Sequence, residues 1–204
     1  MYFDIGANVG RWSLENIGFA EKIVALEPDP DTFKELKRNT ENQKIINLNY
    51  AVCNSSKGEI DFYKCELNTI STINVDWLAS EKSRFHGSRY QKITCKTITI
   101  DKLIQLFGKP KLIKIDVEGG EYECVRSLTQ KVDELCFEWA SELKDIAFLC
   151  LDYLQSIGFT KFFIQYEDGY LFRPMEPEFK DMDSIKCEFN KTVPKEHWGM
   201  IWCR

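Results

Sequence analysis

The chain opens with Tyr2-Phe3-Asp4-Ile5-Gly6-Ala7-Asn8-Val9-Gly10, which leads from an apolar strand into a loop of small, turn-forming residues. A helical pattern begins directly after this loop, at Arg11. A strand, a glycine loop and a helix in this order gather backbone N–H groups around one point, where a ligand can lie close to the backbone. The glycine spacing differs from the Gly-x-Gly-x-x-Gly run of dinucleotide-binding proteins. The stretch therefore predicts a cofactor site at the end of the first strand and makes NAD a less favoured cofactor.

Length and composition are those of an ordinary globular domain. The 204 residues are 44% hydrophobic and 29% charged. The net charge of −5 argues against a nucleic-acid partner, which requires a basic face. No apolar run reaches the roughly 20 residues that a membrane-spanning helix needs. We therefore expect a soluble, cytoplasmic protein with a single domain over residues 1–204. Because the sequence starts almost inside its first strand, we also expect a missing leader helix or a longer parent protein.

The eight cysteines form no recognisable metal or disulfide pattern. No Cys-x-x-Cys pair occurs, and the sequence contains only two histidines. Several cysteines lie in apolar patterns, such as Cys136 and Cys150, where a free thiol behaves as a small hydrophobic side chain. We therefore predict free, buried cysteines and no metal site.

Strand and helix patterns alternate along the chain. Strand patterns cover residues 2–5, 22–26, 45–52, 58–63, 93–100, 112–116, 134–138, 162–166 and 198–203. Helical patterns begin at residues 11 and 30, cover residues 101–107, follow residue 120 and cover residues 144–157. This alternation predicts an α/β protein with a largely parallel sheet and helices on both faces. Residues 65–92 show neither the alternation of a strand nor the periodicity of a helix. An irregular stretch of that length predicts a long loop or a substrate lid.

Acidic residues stand at the ends of several predicted strands. Ligands of parallel sheets bind at the carboxyl ends of strands, so Glu27, Asp116 and Glu138 should meet the loop of residues 6–10 at one edge. The two oxygens of Glu27 can accept hydrogen bonds from two ribose hydroxyls, a role that would suit NAD equally well. The alternative is an ordinary glutamate at a strand end.

The segment of residues 113–121, Ile-Lys-Ile-Asp-Val-Glu-Gly-Gly-Glu, carries two carboxylates at a strand-to-helix turn. Asp116 and Glu118 flank this turn, and the glycine pair after them allows a ligand to approach. Such groups can position or deprotonate a hydroxyl. The alternative is that Glu118 or Glu121 only stabilises the start of the next helix.

Five segments, in this order, resemble the FkbM family of S-adenosylmethionine-dependent methyltransferases. They are residues 3–10, 26–30, 51–52, 99–103 and 113–121, and the resemblance extends over residues 2–140. It implies a class I, Rossmann-like methyltransferase sandwich with a mostly parallel seven-stranded sheet. It also implies S-adenosylmethionine as the methyl donor and O-methylation of a hydroxyl, typically on a sugar or a polyketide-like product.

The resemblance also implies roles for individual residues. Those expected to bind the methionine part of the cofactor are Asp4, Gly6, Ala7, Asn8 and Gly10. Glu27, followed by Pro28, would bind the ribose, and Ala51 and Val52 would border the adenine. A sugar hydroxyl is a weak acid, so a base should assist the transfer. The candidate bases are Asp116, Glu118, Glu138 and His86. Trp77 and Trp139 could stack on a sugar, although aromatic residues more often fill the core.

The acceptor is therefore expected to be a glycan, for example a deoxysugar such as rhamnose or fucose, with a fused or associated glycosyltransferase as a partner. Two alternatives stay open at this point. A nicotinamide-dependent sugar enzyme would use Glu27 in the same way but lacks the expected glycine spacing. A catalytically idle methyltransferase-like module of a larger glycosyltransferase or scaffold would bind cofactor without transferring a methyl group.

Overall fold

A computed structural model describes residues 1–41, 43–54, 57–167, 169–192 and 196–204. The strands in these residues are β1 (Tyr2–Ile5), β2 (Ile23–Leu26), β3 (Ile45–Leu48), β4 (Ala51–Val52), β5 (Glu59–Cys65), β6 (Tyr90–Ile98), β7 (Leu112–Ile115), β8 (Glu134–Ala140), β9 (Phe162–Tyr166) and β10 (Trp198–Cys203). The helices are α1 (Arg11–Asn16), α2 (Pro30–Asn39), α3 (Asp76–Ala79), α4 (Ile100–Phe107), α5 (Glu121–Val125), α6 (Lys144–Ser156) and α7 (Met182–Thr192). The helix α7 was not predicted from the sequence.

The main sheet has seven strands in the order β3-β2-β1-β7-β8-β10-β9. Strands β3, β2, β1, β7 and β8 pair in parallel, whereas β10 runs antiparallel to both β8 and β9. This arrangement confirms the predicted mostly parallel, Rossmann-like sheet. The order reverses beside β1, since β2 lies on one side of it and β7 on the other. A ligand site is therefore expected at the carboxyl end of β1.

Both faces of the sheet are covered. The side chains of Phe3 and Ile5 pack on one face in a core shared with residues of α4, α5, α6 and α7. On the opposite face, Ile23 and Leu112 pack with Trp12 of α1. The central strands β2 and β7 are buried along their whole length, which explains their continuous apolar pattern.

A second, three-stranded sheet, β4-β6-β5, makes the prediction of one strand over residues 45–52 wrong. The chain leaves the main sheet after Leu48 and joins β6 at Ala51. Asn49 lies at this change of sheet, where its side-chain amide donates hydrogen bonds to the carbonyls of Glu27 and Pro28 at 2.8 and 2.9 Å. The side chain thus fixes the chain beside the end of β2 while the backbone turns away.

The segment between β5 and β6 contains more structure than its sequence predicted. It forms a 3-10 turn at Asn68–Ile70 and the short helix α3. The hydroxyl of Thr72 donates to the carbonyl of Glu118 at 2.6 Å, and the amide of Asn74 donates to the carbonyl of Gly119 at 3.0 Å. These bonds hold the segment against the turn after β7. Its role as a substrate lid stays a prediction.

All cysteines except Cys187 are buried. Their burial agrees with the prediction that they act as small apolar side chains. No helix in the described ranges is both long enough and apolar enough to cross a bilayer.

The loop of residues 6–10, here called the glycine loop, is wedged between two neighbours. Gly6 has a φ of +76°, and a Cβ atom at this position would lie only 1.7 Å from the carbonyl oxygen of Asp116. Gly10 has a φ of +90°, and its Cβ would lie 2.8 Å from Leu36 Cδ1 of α2. The two glycines therefore allow the loop to touch the end of β7 on one side and α2 on the other.

Replacing Gly6 with alanine should destabilise the domain by at least roughly 1–3 kcal/mol, because the new methyl group meets backbone and the φ angle becomes strained. Gly18→Ala is the matched control, since nothing lies within 4 Å of a Cβ at that position. Urea unfolding followed by circular dichroism measures both variants. Equal unfolding midpoints for the two would contradict this account of the loop.

Candidate active site

A cavity of about 390 Å³ lies at the carboxyl ends of the central strands. Most of the predicted site residues line it: Gly6, Ala7, Asn8, Glu27, Pro28, Ala51, Val52, Asp116, Glu118 and Glu138. Three predicted site residues, Asp4, Gly10 and His86, are not among its lining residues. The expectation that strand-end carboxylates meet the glycine loop at one edge therefore agrees with the structure.

Glu27 connects the glycine loop to the end of β2. Its two carboxylate oxygens accept hydrogen bonds from the N–H of Asn8 at 3.0 Å and from the N–H of Asp29 at 2.9 Å. Burial raises the pKa of Glu27 to about 7, despite these two stabilising hydrogen bonds. Each oxygen keeps a lone pair for a further donor from a ligand.

Asn8 occupies the left-handed region, with a φ of 48°. Its side-chain oxygen accepts a hydrogen bond from the N–H of Val9 at 2.7 Å, and the amide of Asn68 approaches the same oxygen at 3.3 Å. Asparagine tolerates this conformation better than most residues. The loop is thus contacted by the segment between β5 and β6 as well as by Glu27.

Asp4 lies beneath the cavity rather than in it. The residue is fully buried, and Oδ2 accepts a hydrogen bond from the hydroxyl of Ser13 at 2.6 Å. Its Oδ1 lies 3.3 Å from Nζ of Lys114, its partner in the register of β1 and β7. The structure therefore places Asp4 below the cavity lining, and the contact with the cofactor that the resemblance implied stays a prediction. Likewise, Gly10 serves the packing of the loop on α2.

Lys114 links three parts of the site and was not selected from the sequence. Its ammonium group donates to the carbonyl of Gly6 at 3.0 Å and lies 3.2 Å from Oδ2 of Asp116 as well as close to Asp4. Its residue is 4% exposed. The available signal was a lysine between Ile113 and Ile115, in the middle of an otherwise apolar strand, because a buried cation requires acidic partners.

Three acidic side chains, Asp116, Glu118 and Glu138, form a carboxylate cluster in the cavity. Each contributes an oxygen that lies within 4.8 Å of the others. Burial and the charge of the neighbouring acids raise the pKa of both Glu118 and Glu138 well above the ordinary value. The cluster therefore binds protons more readily than isolated carboxylates do.

The same cluster offers oxygen ligands that could together hold a metal ion, although the sequence predicted no metal site. Lys114 already supplies a positive charge beside Asp116. Glu121 does not line the cavity. It accepts the N–H groups of Val117 and Gly119, each at 3.2 Å, and so stabilises the turn, as its alternative reading proposed.

Five aromatic residues line the cavity, and neither of the two tryptophans considered from the sequence is among them: the five are Trp12, Tyr50, Phe62, Tyr170 and Trp198. Trp77 and Trp139 are each 2% exposed and belong to hydrophobic core clusters. Trp198 lines the cavity and is 46% exposed. Arg11 and Tyr170 also line the cavity and were not selected; Arg11 directly follows the glycine loop, whereas Tyr170 has no local sequence signal.

His86 is exposed and lies outside the cavity lining. Its Nδ1 is 2.9 Å from the carbonyl oxygen of Ala79, at the end of α3. The structure therefore does not bring His86 together with the other candidate bases.

The fold and the site define an α/β protein of the Rossmann-like class, with a glycine loop and an acidic residue, Glu27, at the carboxyl ends of neighbouring parallel strands. The chain belongs to the FkbM methyltransferase family, because the family described as the Methyltransferase FkbM domain matches residues 4–185. S-adenosylmethionine is the cofactor of this family and of this domain.

One curated relative is the hexuronic acid methyltransferase AglP of Haloferax volcanii, which is 30% identical over 139 residues. The match covers 66% of this chain and 52% of AglP, so the chain spans about half the length of that relative. Among solved structures, a precorrin-6y C5,15-methyltransferase from Geobacter metallireducens aligns over all of this chain and 78% of its own, with 12% identity and a TM-score of 0.49. A precorrin-8w decarboxylase from Methanobacterium thermoautotrophicum aligns over all of this chain and 80% of its own, with 11% identity and a TM-score of 0.49.

Replacing Lys114 with methionine should destabilise the domain by about 3–5 kcal/mol, because Asp4 would keep a buried charge without its partner. The control is Lys92→Met, which breaks the exposed pair of Lys92 with Asp61. That variant should lose about 1 kcal/mol or less. Thermal and urea unfolding measure both, and adding Asp4→Asn to Lys114→Met should restore part of the loss. Similar losses for Lys114→Met and Lys92→Met would show that the buried ion pair has no special importance.

Proposed function

We propose that the domain is an S-adenosylmethionine-dependent O-methyltransferase that methylates a hydroxyl of a sugar or glycan. The observation that carries the proposal is the carboxylate cluster in the same cavity as the glycine loop and Glu27. The cavity thus combines groups suited to a nucleoside donor with groups suited to a hydroxyl acceptor.

The donor would lie across the ends of β1 and β2. Glu27 would accept hydrogen bonds from the ribose hydroxyls, and Pro28, Ala51 and Val52 would border the adenine. Gly6, Ala7 and Asn8 would lie against the methionine part. When bound, the cofactor supplies a methyl group on a positively charged sulfur. The acids of the cavity outnumber its cations, which favours a cationic ligand of this kind.

The carboxylate cluster would position the acceptor hydroxyl and receive its proton. As the hydroxyl oxygen gained the methyl group and released its proton, one of these carboxylates would receive that proton. A carboxylate with a raised pKa is a stronger base than an ordinary one, which favours Glu138 and Glu118 for this role. Asp116, held by Lys114, would orient the hydroxyl.

The sugar acceptor is supported by the relationship to AglP, whose name describes a hexuronic acid methyltransferase. Carboxylates arranged around a cavity also suit a polyhydroxylated acceptor, because each oxygen can accept a hydroxyl donor. A fused or associated glycosyltransferase stays a prediction.

Isotope-labelled S-adenosylmethionine incubated with a panel of neutral and acidic saccharides tests this function, with mass spectrometry of the products. The wild-type domain should transfer the label. Glu138→Gln should lower kcat by roughly 10²–10⁴-fold, as expected for loss of a general base. Glu123→Gln, which removes an exposed carboxylate on α5, is the control.

The affinity for S-adenosylhomocysteine should stay within about threefold in Glu138→Gln, because the proposed role of Glu138 concerns the acceptor. Micromolar binding of NAD without binding of S-adenosylmethionine would contradict the proposal. Tight binding of S-adenosylhomocysteine without transfer to any saccharide would favour the idle module.

Affinity for S-adenosylhomocysteine should fall as the pH drops below 7, by up to about tenfold per pH unit. The reason is that Glu27, with a pKa of about 7 in the free protein, must be ionised to accept two ribose hydroxyls. Glu27→Gln should bind more weakly and lose this part of the pH dependence, because glutamine does not titrate. Calorimetric titration between pH 5.5 and 8 measures both proteins. If the affinity of Glu27→Gln fell with pH as steeply as that of the wild-type protein, a group other than Glu27 would be responsible for the pH dependence.

A further inference from the structure

Trp198 is the first residue of β10 and forms part of the cavity wall. It is 46% exposed, an unusual position for a large aromatic side chain that belongs to a strand of the main sheet. Its neighbours along β10, from Gly199 to Cys203, are all buried. The exposure of Trp198 is therefore confined to the end of the strand that meets the cavity.

Arg84 covers one side of the Trp198 indole. Its guanidinium carbon lies 5.3 Å from the ring centroid, and Arg84 itself does not line the cavity. Two hydrogen bonds of 2.6 Å to Glu142 and one of 3.1 Å to the carbonyl of His197 hold the guanidinium in place. The ring is thus supported from outside the cavity by a cation whose own position is fixed by the neighbouring chain.

The register of β8 and β10 places Trp198 beside the carboxylate cluster. Trp198 pairs with Ala140, and Met200 pairs with Glu138. Cross-strand partners and residues two apart on a strand point to the same face, so Trp198 and Glu138 are diagonal neighbours. Diagonal neighbours lie roughly 7–8 Å apart, so one ligand can contact both side chains.

We propose that Trp198 is the stacking platform of the acceptor subsite: the apolar C–H face of a pyranose lies on its indole, and a ring hydroxyl reaches Glu138. Arg84 is the positioning residue that holds the indole in this orientation. Sugar C–H bonds carry partial positive charge and are attracted to the electron-rich face of an aromatic ring. The inference rests on the proposed sugar methyltransferase and adds the part of the cavity that recognises the acceptor.

The test uses the domain saturated with S-adenosylhomocysteine and two probes, methyl β-D-glucopyranosiduronate and methyl α-L-rhamnopyranoside. Saturation-transfer NMR and tryptophan fluorescence report binding. Trp198→Ala should weaken the better-bound probe about tenfold or more, whereas Trp198→Tyr should keep most of the affinity because it keeps a ring. Phe19→Ala removes an aromatic side chain that is 69% exposed and lies outside the cavity lining, and it should have no effect.

Arg84→Lys keeps the charge but loses the planar, two-bonded contact with Glu142. It should raise the KM for the acceptor several-fold while kcat and the affinity for S-adenosylhomocysteine stay nearly unchanged. A variant that had simply lost its fold would lose cofactor binding as well.

Unchanged saccharide binding in Trp198→Ala would overturn the inference, as would a Trp198→Tyr variant no better than Trp198→Ala. Absence of saccharide binding by the wild-type domain would also overturn it. The proposed function fails separately, if S-adenosylmethionine does not bind or if no saccharide is methylated. Methyl transfer that continues in Trp198→Ala with an unchanged KM would leave the function standing and remove only the platform.

Discussion

The close contact between Gly6 and the end of β7 is the constraint on which the site depends. The N–H of Asp116 donates to the carbonyl of Ile5 at 3.0 Å, and the carbonyl of Asp116 occupies the space that a side chain at Gly6 would need. The ammonium group of Lys114 donates a further hydrogen bond to the carbonyl of Gly6. The loop after β1 and the turn after β7 are therefore fixed relative to each other. Because one carries the proposed donor contacts and the other carries two of the clustered carboxylates, this contact also sets the distance between donor and acceptor.

The second constraint is the unfavourable free energy of burying several acidic side chains where the glycine loop meets the end of β7. Asp4 is fully buried, and the pKa values of Glu118 and Glu138 are raised by burial and by neighbouring negative charge. Lys114 neutralises part of the charge, since it lies near both Asp4 and Asp116. Glu118 and Glu138 therefore hold a proton more readily than isolated carboxylates do. The burial and mutual repulsion that raise the pKa values of these carboxylates also make them stronger proton acceptors than isolated carboxylates.

The sequence predicted the parts of the site that depend on local pattern. The glycine loop and Glu27 follow strands whose apolar runs identify their ends, and the edge rule for parallel sheets brings them together. It did not predict Trp198, because the place of this residue at the cavity depends on the pairing of β10 with β8, which is distant in the sequence. It also did not predict the complete burial of Asp4, although the alternation of the strand could have indicated that this side chain points into the sheet face. The strand break at Asn49 was missed for a similar reason: its side chain bonds to carbonyls 21 and 22 residues away.

The two halves of the cavity differ in how they are encoded: local sequence motifs specify one half, whereas contacts between distant segments form the other. The half proposed for the cofactor is built from β1, β2, the segments that directly follow these two strands, and β4, so short sequence motifs specify it. The half proposed for the acceptor combines Glu138 of β8 with Trp198 of β10, and the support of Trp198 comes from Arg84 in the segment between β5 and β6. Substitutions in β8, in β10 or in the segment between β5 and β6 can therefore alter the acceptor half of the cavity while the donor half stays intact. A family resemblance carried by the motifs can therefore identify the methyl donor, whereas the acceptor must be inferred from the register of β8 and β10 and from the side chains that this register brings together.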